Sequence, residues 1–212
     1  MIQTECYVEM GDLREIEKAL GMAKDKSRVI LRAAINNAAK QLEGGMVEGA
    51  RKRYRFKGGK SQIRKANTVR KASVSRLSAI VSAKGRANSL TYFDVTPMVY
   101  VPGGWNPIEW YRARVLRQGR LERIAARPYA RGDKYKGFII RFTNRTGPEH
   151  YALAERVPGK RMKSNPRKEA VKSLSAISTP QAEEAAYRYE MGGDVEGILM
   201  KSIQEQMYRF LG

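Results

Sequence analysis

The sequence is poor in the residues that build metal sites and disulfides. It has one cysteine, Cys6, and one histidine, His150, among 212 residues. A single cysteine cannot close an intrachain disulfide, and a structural zinc site takes four ligands mainly from these two residue types. We therefore expect no zinc, no disulfide and no bound cofactor, and a lone cysteine favours a cytoplasmic setting.

Long hydrophobic runs are also absent. Residues 98–101 are typical of the longest apolar runs, which fall far short of the roughly 20 residues that a membrane-spanning helix needs. The N-terminus has neither the basic start nor the apolar stretch of a secretory signal. These features predict a cytoplasmic protein with no membrane partner. Hydrophobic residues still make up 42% of the chain, which predicts that it folds.

Acidic residues are scarce in the middle of the chain. Lys and Arg total 41 against 21 Asp and Glu, which gives a formal net charge of +20. The excess is confined to residues 49–172, which carry +24, whereas residues 1–48 and 173–212 carry −1 and −3. This imbalance predicts contact with a polyanion, such as nucleic acid or an acidic protein surface.

No acidic residue occurs between Glu48 and Asp94. A face that only keeps a protein soluble would normally interleave both signs, so we predict a patch or arm that faces DNA or an acidic partner. We name residues 51–71 the basic segment. Its candidate contact residues are Arg51, Lys52, Arg53, Arg55, Lys57, Lys60, Arg64, Lys65, Arg70 and Lys71. The rings of Tyr54 and Phe56, interleaved with arginines, suit stacking on bases or on each other.

No recognisable catalytic motif is present. Gly59-Lys60-Ser61 matches the end of a phosphate-binding loop, but Tyr54 stands where that pattern needs glycine. No Gly-x-Ser-x-Gly sequence accompanies His150, and Cys6 has no identifiable activating partner. We expect a protein without enzymatic activity.

Hydrophobic periodicity predicts an α+β fold with helices near both ends. Apolar residues recur at helical spacing over residues 31–46 and again over residues 199–211. A similar pattern runs from Asp12, and Gly44 with Gly45 is expected to loosen the end of the first helix. Thr179 followed by proline predicts the start of another helix.

Between these helices we expect a small antiparallel sheet, formed by residues 69–101 and 137–157, with long basic loops. Residues 158–166 are expected to form one of these loops, because prolines stand at both ends. The predicted strands are residues 69–84, 96–101, 137–143 and 151–157, and the last two are expected to pair as a hairpin across residues 144–149.

The aromatic-rich residues 97–136 predict an insertion or extended arm within a single domain of residues 1–212. Prolines and glycines punctuate this segment, where tryptophans and tyrosines alternate with arginines. Within it, residues 108–127 have the spacing of a basic helix, although Gly119 interrupts it.

Four stretches carry a resemblance to a known family. They are VILRAAINNAAK at residues 29–40, IRKANTVRKAS at 63–73, GPEHYALAER at 147–156 and LSAISTPQAEE at 174–184. Together with the order of elements, they resemble the minor tail protein Z (tail completion, neck) family of long-tailed bacteriophages. The likeness spans most of residues 10–212 apart from residues 97–136.

The resemblance implies a structural virion protein that completes the head-proximal end of the tail and helps to join it to the head. It also implies a homo-oligomeric ring around the DNA channel, with the tail terminator, the head-tail connector and genomic DNA as partners. Assembly would take place in the host cytoplasm. The family has no known catalytic residues, so the basic segment is the only candidate site.

Two other functions are compatible with the residues. A non-sequence-specific nucleic-acid-binding protein would explain the charge, but it does not need the nearly neutral helices at the ends. An enzyme acting on nucleic acid would need a carboxylate cluster or metal-ligand spacing, which the sequence does not display.

Overall fold

The computed structural model describes residues 2–7, 18, 24–102, 110–124, 137–142 and 149–211. Helices and small antiparallel sheets confirm the expected α+β class. The chain forms two compact units, described separately below. Unit 1 comprises Met1–Arg51, Lys60–Gly85 and Thr179–Gly212, and unit 2 comprises Lys52–Gly59 and Arg86–Ser178. The single domain over residues 1–212 stays a prediction.

Regular structure in the described residues consists mainly of four helices and eleven strands. The helices are α1 (Lys24–Arg53), α2 (Gly59–Arg64), α3 (Thr179–Tyr189) and α4 (Val195–Leu211). The strands are β1 (Ile2–Tyr7), β2 (Asn67–Arg70), β3 (Ser78–Ala83), β4 (Ala87–Ser89), β5 (Asp94–Thr96), β6 (Arg112–Arg114), β7 (Glu122–Arg123), β8 (Phe138–Phe142), β9 (His150–Met162), β10 (Asn165–Ser173) and β11 (Ser175–Ser178). The predicted terminal helices and the helix start at Thr179 are confirmed, whereas the pattern from Asp12 lies largely outside the described residues.

Unit 1 is a three-stranded antiparallel sheet packed by helices. Its strand order is β1-β3-β2. Burial alternates along β3, as expected for a strand with one face towards a core. The apolar stripes of α1 and α4 meet this face because their spacing places each stripe on one side of its helix. The shared core includes Leu31, Ile35, Leu42, Ala79, Val81, Leu199 and Ile203.

The prediction that Gly44 and Gly45 loosen the end of α1 is wrong, because the helix continues to Arg53. A Cβ on Gly45 would lie 2.7 Å from the Met191 Cε, and one on Gly49 would lie 2.8 Å from the Ala186 Cβ. These glycines therefore permit close packing of α1 against α3 and the residues after it. That packing offsets the roughly 1 kcal/mol that each glycine costs inside a helix.

The single strand predicted over residues 69–84 is instead two strands, β2 and β3, joined by residues 71–77. Asn36 of α1 holds this connection through two hydrogen bonds. Its Nδ2 donates to the Ala72 carbonyl at 3.2 Å, and the Ala72 N–H donates to the Asn36 Oδ1 at 2.8 Å. The connection contains no glycine or proline, so the sequence gives little sign of a turn.

Unit 2 consists of three small antiparallel sheets, with strand orders β5-β6-β7, β10-β9-β8 and β11-β4. The predicted pairing of the strand near residue 137 with that near residue 151 is confirmed, since β8 pairs with β9 from Phe138↔Ala154 to Phe142↔His150. The predicted connection between them lies mostly outside the described residues. A buried cluster joins the first two of these sheets and consists of Val95, Tyr111, Ala113, Ile139 and Leu153.

Two predictions for the aromatic-rich segment are wrong. The helix expected over residues 108–127 is replaced, in its described part, by β6, a turn and β7. Burial of Tyr111 and Ala113 on either side of an exposed Arg112 shows a strand alternation that competed with the helical spacing. In place of the strand expected over residues 96–101, β5 covers Asp94–Thr96 and ends immediately before Pro97. The insertion itself stays a prediction.

The prediction of a basic loop at residues 158–166 is also wrong. These residues belong mainly to β9 and β10, which are joined by a turn at Lys163 and Ser164. The pairing is irregular on both strands, with register shifts that leave Pro158 and Pro166 outside the regular ladder. The residues are nevertheless basic and mostly exposed, as the sequence indicates.

Candidate nucleic-acid interface

The basic segment runs through the end of α1, a short connection, α2 and β2, so most of it is regular structure rather than one of the long basic loops expected in the fold. Its candidate residues fall in both compact units. Unit 1 holds Arg51, Lys60, Arg64, Lys65, Arg70 and Lys71, and unit 2 holds Lys52, Arg53, Arg55 and Lys57. Gly58 lies in a turn, and Gly59 begins α2 with a φ of 55°, a conformation that glycine adopts readily.

Glu48 binds two of the predicted contact residues. Arg51 Nη2 lies 2.7 Å from Glu48 Oε1, and Lys60 Nζ lies 2.8 Å from Glu48 Oε2. Hydrogen bonds from Arg51 and Lys60 lower the pKa of Glu48 to about 2. The Lys60 ammonium, which a phosphate-binding loop would turn towards its ligand, here contacts a carboxylate of its own chain.

A second acidic cluster in unit 1 includes a buried glutamate. Arg64 Nε lies 3.4 Å from Glu43 Oε1. Asn67 Nδ2 donates to Glu43 Oε1 at 3.3 Å and to Glu183 Oε1 at 2.7 Å. Glu183 is fully buried, and its Oε2 has no hydrogen-bond partner among the described residues.

Burial raises the pKa of Glu183 to about 7, while the hydrogen bond from Asn67 opposes this shift and the charge of Glu43 adds to it. The sequence analysis missed this group. The one sign of its burial is that Glu183 directly follows Ala182, and both lie on the buried side of α3. A carboxylate is unusual in such a position.

Asp94 neutralises a further predicted contact residue in unit 2. Its Oδ2 lies 2.9 Å from Arg55 Nε and 2.7 Å from Arg114 Nη2. The hydrogen bond from Arg114 is the main cause that lowers the pKa of Asp94, and burial opposes it. Glu48 and Asp94, which bound the acid-free stretch in sequence, therefore both pair with its arginines or lysines.

Five of the ten predicted residues remain as exposed cations that form no ion pair with any carboxylate in the described ranges. They are Lys52, Lys57, Lys65, Arg70 and Lys71. Arg53 is also exposed, and its carbonyl accepts a hydrogen bond from the Arg117 N–H. These side chains are the part of the basic segment that is presented to an external anion.

The aromatic rings of the basic segment pack internally, so the base-stacking alternative is wrong. Tyr54 and Phe56 are buried, with ring centroids 6.3 Å apart in an edge-on arrangement. Phe56 also lies 4.9 Å from the ring of Phe93. Their role is to anchor the connection between α1 and α2 within unit 2.

The described residues contain no group of three or more His, Cys, Asp or Glu side chains arranged to hold a metal ion. His150 is the first residue of β9 and is exposed, and its backbone pairs with that of Phe142. Among the helices of the described ranges, none combines the length and the apolar character needed to cross a bilayer.

Comparison with known proteins gives no match. No protein-family model, curated protein or solved structure matches this chain significantly.

Proposed function

We propose that this protein is a structural, non-enzymatic component of the phage neck. It completes the head-proximal end of the tail and helps to join it to the head, as a multi-copy ring around the DNA channel. The observation that carries the proposal is the sequence resemblance over residues 29–40, 63–73, 147–156 and 174–184. The tail terminator, the head-tail connector and genomic DNA are the proposed partners.

The structure supports this proposal through the position of the resembling stretches. Residues 29–40 lie in α1, residues 63–73 include the end of α2 and all of β2, and residues 174–184 run through β11 into α3. Unit 1 thus contains all or part of three of the four resembling stretches, within a long helix, a small sheet and a later helix.

Exposed apolar side chains on α4 support assembly into a ring. Met200 and Tyr208 are 51% and 81% exposed, although both are on a helix whose Leu199 and Ile203 are buried. A spacing of eight residues sets Met200 and Tyr208 about 80° apart around the helix, and both lie outside its buried stripe. An apolar pair facing outwards suits a contact between copies, and contacts that close by rotation form rings.

Imaging of the head-tail junction in virions from the same source tests the proposal. We expect a closed ring of this protein at the junction, and its absence from purified particles would overturn the proposal. In parallel, Tyr208→Ser should reduce incorporation into particles while Arg209→Ser, one residue further along α4, should not.

A second candidate is a non-sequence-specific nucleic-acid-binding protein. The five exposed cations of the basic segment favour it, because phosphate contacts require no base-reading element. Salt-sensitive binding to any duplex, together with absence from virions, would favour this function over the neck role.

A further inference from the structure

A basic hairpin lies outside the basic segment. Strand β9 pairs with β8 only over residues 150–154, and from Glu155 to Met162 its strand partner is β10. The two strands form a two-stranded ribbon that pairs regularly up to Ala170↔Val157 and, beyond two register shifts, again at Glu169↔Arg161 and Asn165↔Met162. We name residues 158–169, which lie beyond the regular pair Ala170↔Val157, the ribbon tip.

The ribbon tip concentrates positive charge that its own chain does not neutralise. Its exposed cations are Lys160, Arg161, Lys163, Arg167 and Lys168. None of these five forms an ion pair with a carboxylate within the described residues, and the tip has one acidic residue, the half-buried Glu169.

Unlike the ribbon tip, the basic segment includes cations that carboxylates of the same chain neutralise. Four of its ten candidates, Arg51, Arg55, Lys60 and Arg64, contact Glu43, Glu48 or Asp94. A cation that already contacts a carboxylate gains less from an external anion, because it must share or give up the first contact. The five cations of the basic segment that pair with no described carboxylate are spread over residues 52–71 and belong to both compact units, whereas those of the tip lie within residues 160–168 of one ribbon, so the tip is the denser cation cluster.

The shape and composition of the tip distinguish between polyanions. A two-stranded ribbon fits the major groove of a DNA duplex, which is about 12 Å wide. Protein interfaces are usually anchored by tryptophan, tyrosine and arginine side chains in well-packed pockets. The tip contains no aromatic residue, and Met162 is half-buried, so an acidic protein would find few apolar anchors there.

We propose that the ribbon tip binds the phosphate backbone of duplex nucleic acid without reading base sequence, and that it contributes more to binding than the basic segment does. This property goes beyond the neck role and does not depend on it. It concerns the purified protein and a duplex in solution, so absence from virions would refute the neck role alone.

The test compares two variants that lose the same charge. In the tip variant, Lys160, Arg161, Lys163, Arg167 and Lys168 are replaced by Ser. In the control variant, Lys52, Lys57, Lys65, Arg70 and Lys71 are replaced by Ser. Binding to short blunt-ended duplexes of two unrelated sequences is followed by fluorescence anisotropy over about 50–200 mM salt, and far-UV circular dichroism checks that each variant is folded.

Each lost phosphate contact lowers the dependence of log K on log salt by about 0.9, so the tip variant, which loses five contacts, should lose about 4.5 units of slope. Its affinity should fall at least about tenfold more than that of the control, equally for both sequences. If the tip variant does not fold, a double variant with Lys163→Ser and Lys168→Ser takes its place in the assay. This double variant should lower the slope by about 2.

Three outcomes would overturn the proposal. Equal losses in the tip and control variants would mean that net charge alone drives binding. Binding of the wild-type protein to poly-glutamate, without binding to either duplex, would identify an acidic protein as the partner. A clear preference between the two sequences would indicate base reading.

Discussion

Replacing Glu183 by glutamine should change how stability depends on pH. The Glu183 carboxyl is buried beside Asn67 and Glu43, and burial raises its pKa from 4.5 to about 7. Glutamine keeps an oxygen that accepts the Asn67 hydrogen bond but carries no charge at any pH. The variant therefore resembles the protonated form of the wild-type protein.

The sign and size of the effect follow from proton linkage. Between about pH 4.5 and pH 7 the folded protein holds a proton on Glu183 that the unfolded chain has released. The free energy of unfolding of the wild-type protein therefore falls as pH rises through this window and levels off above it. A difference of about 2.5 pH units, at 1.36 kcal/mol per unit, amounts to about 3 kcal/mol.

Urea unfolding followed by far-UV circular dichroism at several pH values measures this difference. Relative to Glu183→Gln, the wild-type protein should lose about 3 kcal/mol between roughly pH 4.5 and pH 8. The matched control is Glu184→Gln, since Glu184 is partly exposed and pairs with Arg188 at 2.6 Å. A wild-type minus Glu183→Gln difference that stays constant with pH would refute the reasoning.

Three further substitutions test packing and hydrogen bonding in α1, each measured as the free energy of unfolding in urea. Gly44→Ala should stabilise the protein by about 0.5–1 kcal/mol, because its Cβ would meet nothing within 4 Å. Gly49→Ala should destabilise it by about 1–3 kcal/mol through the clash with Ala186, and equal stabilities for the two variants would contradict this packing. Asn36→Ala should cost about 1–3 kcal/mol, because the buried Ala72 backbone loses both hydrogen bonds; an unchanged unfolding midpoint would show that those bonds contribute nothing.

Long, regular apolar spacing made the helices predictable. The stripes over residues 31–46 and 199–211 persist for several turns, so they indicate α1 and α4 without knowledge of their partners. The hairpin of β9 and β10 was not predictable in the same way. Pro158, Gly159 and Pro166 normally end strands, and only the register shows that they lie at irregularities within a longer ladder.

The sequence locates the basic residues of the candidate site, but it does not show which of them pair with a carboxylate. Counting residues locates the basic segment, because no acid occurs between Glu48 and Asp94. It does not show that both acids contact the cations of that stretch, since the pairing of Asp94 with Arg55 spans 39 positions. The burial of Glu183 likewise depends on elements distant in sequence, because Asn67 lies in β2.

The prolines of the ribbon tip limit how the edges of the ribbon can pair with a strand of another chain. A two-stranded ribbon has backbone N–H and C=O groups along both edges, which a strand from another chain can pair with. Pro158 and Pro166 lack an N–H group, and each lies where the ladder is irregular. The tip should therefore not add to the sheet of another chain, and it should stay a separate two-stranded element in solution.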